Sequence, residues 1–433
     1  MSAFHAFEKG LNGESSSPFH QIRKAAIARF AETGFPTTRD EEWKYTDISP
    51  LTKIQFTPAA DFHATKITKK DIDRFTLGNL TPHLLVCVNG CFSASLSSLS
   101  SLPSGVYAGS LRTALKKDGG LVEQHLARHA RYDHNAFVAL STAFLNDGAF
   151  VHIPDGAIIQ EPLHVLFVSN GHENEFIASP RHLIVLGKNS QASIIESHMH
   201  VGTNTYISNA VAEIVLGENA VLEYDRLQNE NMHSYHIGTT QVYQERNSNF
   251  RSHAVTFGGA IVRNNITAVL DGEGCECTLN GLYLGTGNQL IDNHTAIDHA
   301  KPHCNSHELY KGILDDTSRG VFNGKIFVRK DAQKTDAKQT NKNLILSDGA
   351  SIDTKPQLEI FANDVKCTHG ATIGQLDDEQ IFYLRARGIG QDAARDMLIF
   401  AFASDIIDRM NVEPLRNTLN EILHAKLEHS RSM

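Results

Sequence analysis

The sequence predicts a mainly β protein: a parallel β-helix core flanked by N-terminal and C-terminal helical domains. Three observations lead there. From Ala149 to about Thr372 helical periodicity is absent, and short β-rich runs alternate with Gly, Asn and Asp. Within that stretch one phrase returns, an apolar pair, a turn with glycine, a small residue and more apolar residues. It stands as I-P-D-G-A-I-I from Ile153, V-L-G-K-N-S-Q-A-S-I-I from Val185 and V-L-G-E-N-A-V-L-E-Y from Val215. It returns as V-L-D-G-E-G-C-E-C-T-L from Val269 and I-L-S-D-G-A-S-I from Ile345. Gly187 and Gly217 lie 30 residues apart, the spacing of a solenoid repeat. Finally, both flanks read as helix. A β-sandwich or barrel is the competing reading of the same short strands. The expected division is 1–148, helical or mixed; 149–375, the β-helix; and 376–433, helical.

In chain order, residues 17–33 form a helix, with Ser17 as cap, Pro18 in the first turn and Phe19, Ile22, Ala26 and Phe30 on one apolar face. Gly34 and Pro36 stop it. The segment R-D-E-E-W-K-Y-T-D from Arg39 holds the only tryptophan, Trp43. Helical patches follow at about 121–130 and from Asp133 through Phe144. After the β region a helix starts at Asp377 or Asp378 and ends at Gly388. Acids in its first turn and Arg385 and Arg387 near its end suit the helix dipole. Longer amphipathic helices cover 391–410 and 413–427, and this bundle is expected to cap the open end of the β-helix, whose strand edges need cover.

Composition narrows the function. The chain has 433 residues, 41% hydrophobic and 21% charged, with a formal net charge of −9. That balance argues against nucleic acid or an anionic membrane as main partner. No run approaches the ~18 apolar residues of a membrane span, and the N-terminus is too polar for a secretory signal, so the expected location is cytoplasmic. The six cysteines (Cys87, Cys91, Cys275, Cys277, Cys304 and Cys367) are too scattered for a disulfide framework and read as free thiols.

The stretch D-V-K-C-T-H-G-A-T-I-G from Asp364 carries the sharpest chemical signal. On a strand, Cys367 and His369 point to one face and Thr368 to the other. Thiolate plus imidazole suits iron, an iron–sulfur cluster or zinc, yet two ligands do not complete a site, so others must come from elsewhere or from another chain. The alternative is a buried thiol beside a hydrogen-bonded histidine. D-H-A-K-P-H-C-N-S-H-E from Asp298 gathers His299, His303, Cys304 and His307, with His294 just upstream, but loop histidines are common in a chain with 23 of them. Cys275 with Cys277 and Cys87 with Cys91 do not make two C-x-x-C knuckles and read as small core residues. Lys334, Asp336 and Lys338 share one face of a strand and read as a solvated face; clustered on a groove, such residues would serve a β-helix polysaccharide lyase or esterase. There is no G-x-x-x-x-G-K-[ST] loop, so no nucleotide is expected on this chain by that route, and no G-x-S-x-G or H-E-x-x-H motif.

Several long motifs carry a resemblance. R-D-E-E-W-K-Y-T-D resembles the entry motif of the SufD branch of the SufB/SufD family, components of the SufBCD iron–sulfur cluster assembly complex. Y-K-G-I-L-D-D-T-S-R-G-V-F-N-G-K-I from Tyr310 and A-Q-K-T-D-A-K-Q-T-N-K-N-L-I-L-S from Ala332 are similar to it. So are P-Q-L-E-I-F-A-N-D-V-K-C-T-H-G-A-T-I-G from Pro356 and D-D-E-Q-I-F-Y-L-R-A-R-G-I from Asp377. The likeness is nearly continuous over residues 310–390 and, with A-F-L-N-D-G-A-F-V-H-I-P-D-G from Ala143, extends over most of the chain. It implies a right-handed β-helix and a non-catalytic scaffold subunit that pairs with SufB through the late strands and docks the SufC ATPase through the C-terminal helices. It also implies a transient iron–sulfur cluster or iron held at the SufB interface; a homodimer of the isolated chain stays open as an alternative. On that basis His369 and Cys367 are the metal-site candidates, His369 the stronger. SufB-like chains carry glutamate directly after the corresponding histidine; Gly370 stands here, so the chain is expected to supply part of a site. A purely architectural subunit is the remaining alternative.

Overall fold

The recurring glycine phrases are corners of a coil. In the computed structural model, which describes residues 2–11, 18–59, 67–77, 83–99, 102–117, 119–171 and 175–431, the strands after the Ile153, Val185, Val215 and Val269 phrases belong to one parallel ladder, while the Ile345 phrase turns the opposite corner into a second ladder. Gln191 pairs with Val221, Val221 with Asn249, Asn249 with Glu276, Glu276 with Asn305, Asn305 with Asp336 and Asp336 with Lys366. One turn therefore takes from 27 residues (249 to 276) to 31 (305 to 336). The intervening strands build a second parallel ladder, Ile261 beside Leu290, Arg319 and Ser351. Alternate strands join opposite sheets, called A and B here, with Ser351–Ile360 last in A and Lys366–Gly374 last in B. Each core strand bonds to the strand one turn away, so the chain is a parallel β-solenoid and the sandwich and barrel readings fall.

The corners explain the repeat. One position per turn adopts a left-handed backbone: Asn189, Asn219, Asn247, Gly274, His303 and Lys334, with φ between 54° and 74°. Asparagine and glycine tolerate that region best, and the asparagine amides stack, Asn219 donating to Asn189 at 2.9 Å and Asn247 to Asn219 at 3.2 Å. Between the sheets, inward residues such as Ile194, Leu222, Phe250, Leu279 and Phe322 form a continuous core. The earliest sheet strands come from the N-terminal part: His83–Val88 lies parallel to Leu163–Asn170, and Tyr107–Ser110 lies antiparallel to Gly148–Ile153.

Helices cover both flanks. On sheet A, Trp43, Ile48 and Phe137 pack around Ile237. Buried Glu213 accepts the backbone N–H groups of Ala127, Arg128, His129 and Ala130 and a 2.6 Å bond from Arg181, which ties that segment to the sheet. Helix Pro18–Thr33 ends where expected, Gly34 taking φ 66° and donating to Phe30 O at 2.8 Å; its proposed cap, Ser17, lies outside the described residues. The second patch is a shorter helix, Gly119–His125, and the third spans Ala136–Ala143, capped by Asn135. At the other terminus Asp378–Arg385 is capped by Asp377, followed by Gln391–Ile407 and Glu413–Arg431.

One expectation fails. The C-terminal bundle does not cap the open end. Its two long helices lie across the outer face of sheet B, where Ile399, Ala403, Ile406, Leu415 and Leu419 bury Leu227, Val255, Leu282 and Ile313. Those outward strand positions form an apolar stripe that must be covered. The last strands present mostly polar side chains outward, so the end strands Ser351–Ile360 and Lys366–Gly374 stay exposed or half-buried along their length, with Phe361 and Ile373 exposed. Lys311 fixes the bundle, bonding Asp405 at 2.8 Å and the Phe402 carbonyl at 2.9 Å.

Candidate functional site

Strand Lys366–Gly374 is the last rung of sheet B. Cys367 sits beside Ala337 and His369 beside Gln339, so both point to the inner side of the solenoid while Thr368 points outward. No further turn covers them. Cys367 is half-buried against Ala337, Ala332 and Ala362, and His369 is exposed. Burial, reinforced by the Asp336 carboxylate, raises the Cys367 thiol above its ordinary range, so a metal binding there must displace a proton. Among the described residues no third ligand from this chain converges on the pair.

Beneath His369 a polar column runs inward. Gln339 donates to Glu308 at 2.8 Å, one turn deeper. Gln339 Oε1 and Glu308 Oε1 are buried without a partner among the described residues. Burial pushes the Glu308 carboxyl up to about 7, with Thr295 and Gln339 opposing the rise. Gly324 makes room: a Cβ there would lie 2.3 Å from Gln339 Nε2.

The other histidine and cysteine candidates are dispersed. His299 points into the core, bonds Ser306 Oγ at 2.9 Å and is pushed down to about 4 by burial, so it is a neutral packing residue. His303 occupies the left-handed corner position and is exposed, while His307 lies on the outer face of its strand. Cys304 and Cys275 both bond the Gly272 carbonyl, at 3.2 and 3.1 Å. Cys87, Cys275, Cys277 and Cys304 belong to the solenoid core, and Cys91 is half-buried. Asp336 and Lys338 do share an outward face, 3.4 Å apart, but Lys334 is a corner residue paired with Asp364.

Two buried networks were not foreseen. Inside the solenoid Glu196 takes His182 and His198 at 2.6 Å each, Arg226 at 3.3 Å and the Tyr224 hydroxyl. Burial alone would raise the Glu196 carboxyl; His182 and Arg226 hold it well below its usual range. The signal was available, since Glu196 and Arg226 are 30 residues apart and register neighbours, but only once the period is known. The second network receives the motif from Arg39. Arg263 reaches the Glu42 carbonyl at 2.6 Å and Asp292 at 2.8 Å, His294 bridges Asp292 and Glu42, and Thr46 donates to Asp292 at 2.5 Å. His294 therefore anchors the N-terminal segment rather than joining the histidines that follow it.

With this geometry in hand, comparison with known proteins is decisive. Residues 167–402 match the SUF system FeS cluster assembly SufBD core domain, and residues 1–165 match the SufBD protein N-terminal region. The chain belongs to the SufBD family. It is similar to an iron–sulfur cluster assembly SufBD family protein of Synechocystis, 34% identical over 96% of this chain and 93% of that one. It is also similar to the iron–sulfur cluster assembly protein SufD of Escherichia coli, 33% identical over 95% and 93%. The chloroplastic protein ABCI7 of Arabidopsis thaliana is 30% identical over 93% and 85%. The SufBD assignment makes this an iron–sulfur cluster assembly protein and a SufD homologue. Among the described residues no helix is long and apolar enough to cross a membrane.

Proposed function

We propose that this SufBD chain is a non-catalytic, cytoplasmic SufD-type subunit working with a SufB-type paralogue and a SufC-type ATPase. The late solenoid strands pair with the paralogue, and the C-terminal helices dock the ATPase, whose nucleotide hydrolysis drives assembly. Iron or a nascent iron–sulfur cluster is cargo, held between chains, with His369 and Cys367 supplying part of its ligand set. One observation carries the reading: the two side chains share the inner face of the last strand, where both sheets end in unpaired edges. An open edge is a template for strand addition by another chain, which would bring the missing ligands. The test is anaerobic reconstitution with the two partners, measuring iron and sulfide in wild type, His369→Ala and Cys367→Ala. Loss of loading in a complex that still assembles supports the site; equal loading in all three makes the subunit architectural.

A further inference from the structure

On the outer face of sheet B, away from the open end, three metal-ligating side chains converge. Glu223 and Asp225 stand two apart on strand Val221–Gln228, and His253 is the register neighbour of Asp225 on strand Asn249–Thr256. One ligand atom from each lies within 4.8 Å of the others. His253 Nδ1 is 2.8 Å from Asp225 Oδ1, close to the ~3 Å edge between adjacent ligands on a metal with bonds near ~2.1 Å. Asp225 is fully buried, and its second oxygen, Oδ2, has no partner among the described residues. An unpartnered carboxylate oxygen in that position is costly and points to something that fills it. Glu223 also borders a cavity of about 340 Å³ lined in part by Asn411 and by Arg251, its register neighbour on the next strand. Both Glu223 oxygens accept from Asn411, Oε1 from its backbone N–H at 3.0 Å and Oε2 from its side-chain amide, and Asn411 lies in the turn between the two long C-terminal helices.

We propose that Glu223, Asp225 and His253 bind one divalent first-row metal ion, and that this ion fastens the turn of the C-terminal helix pair to the solenoid. Two carboxylates and one imidazole suit ferrous, manganous or zinc ions, with water completing the coordination. The ion is structural and separate from the cargo: three strands and the thickness of the sheet lie between it and Cys367 and His369. The site does not depend on the reading of those two residues.

The test uses the full chain carrying Cys367→Ala and His369→Ala, so that the cargo ligands cannot contribute. The protein is stripped with chelator, incubated anaerobically with Fe²⁺, Mn²⁺ or Zn²⁺ singly, desalted and assayed for metal. One ion per chain is expected, with a rise in melting temperature on loading. Asp225→Asn, nearly isosteric, and His253→Gln should each weaken binding on the order of 100-fold and abolish that rise. Absence of bound metal, or unchanged binding in the folded variants, overturns the proposal. Should a variant not fold, Co²⁺ bound to the parent chain decides. Weak visible bands without thiolate charge transfer support a carboxylate–imidazole site, and an intense near-ultraviolet thiolate band or no bound Co²⁺ overturns it.

Discussion

The Arg263 guanidinium lies 3.9 Å over the Trp43 ring. That contact joins the N-terminal motif to the solenoid, because Arg263 simultaneously holds the buried Asp292 carboxylate and the Glu42 carbonyl. Trp43→Ala should destabilise the chain by about 3–5 kcal/mol, the usual cost of removing a large buried aromatic side chain. Arg263→Ala should cost a similar amount by leaving Asp292 short of its partner, and Arg263→Lys somewhat less, since an ammonium keeps the charge but loses the planar fork. Urea unfolding of the two singles and the double variant measures the coupling. Strict additivity would show that the stacking contributes nothing beyond separate packing.

Glu308 predicts an unusual pH dependence. Its carboxyl titrates near 4.5 when unfolded and at about 7 when folded, because burial disfavours the charge. Between those values the folded state keeps a proton that the unfolded state has lost, so this residue's contribution to stability falls as pH rises and levels off above about 7. Glu308→Gln mimics the protonated form and removes the dependence. Below pH ~4.5 variant and wild type should be equally stable, and at pH 8 the variant should lead by on the order of 3 kcal/mol. Comparing the pair cancels the opposite effect of buried His299, whose neutral form favours folding as pH rises from about 4 towards 6.5. Parallel stability profiles for the two proteins would refute the assignment.

What the sequence disclosed follows from where its information is local. The corner phrases are local, since a left-handed residue and flanking apolar pairs lie within a few positions, so the solenoid was legible around Asn189 and Asn219. The shared face of Cys367 and His369 was legible for the same reason, a two-residue strand period. The Glu196 network was not, because Arg226 is adjacent only through the 30-residue step of the coil. Nor was the destination of the C-terminal helices. Their apolar faces announce burial without naming a surface, and the stripe from Leu227 through Val255, Leu282 and Ile313 comes from four separate turns. Trp43 gave no sign of its partner, Arg263, more than 200 residues away.

Glycines at the corner and at the site should respond in opposite ways to alanine. A Cβ on Gly272 would lie 2.0 Å from the Arg246 backbone nitrogen, and backbone on the adjacent turn cannot move aside without breaking the ladder. Gly272→Ala should therefore cost several kcal/mol, at the level of severe overpacking, about 3 or more. Gly370 has nothing within 4 Å of such a Cβ, so Gly370→Ala, and even Gly370→Glu, should leave stability within about 0.5 kcal/mol. Thermal unfolding of the three variants checks this. A stable Gly272→Ala protein would mean that the corner is looser than the coil requires.

The same openness makes the site variants clean probes of function. His369 is exposed on an edge strand, so His369→Ala should change stability by less than about 0.5 kcal/mol. Cys367 is half-buried against small core residues, and Cys367→Ala should cost no more than about 1 kcal/mol. If the pair holds cargo, His369→Ala should lower the iron and sulfide retained by the reconstituted complex several-fold while size-exclusion profiles and melting temperatures stay unchanged. Cys367→Ala should show a smaller loss if the thiol only helps to position the imidazole, and an equal one if its thiolate is itself a ligand. Gly370→Glu adds the carboxylate that SufB-like chains carry at this place. Should that variant bind iron in the absence of any partner, one added carboxylate completes a site that Cys367 and His369 begin.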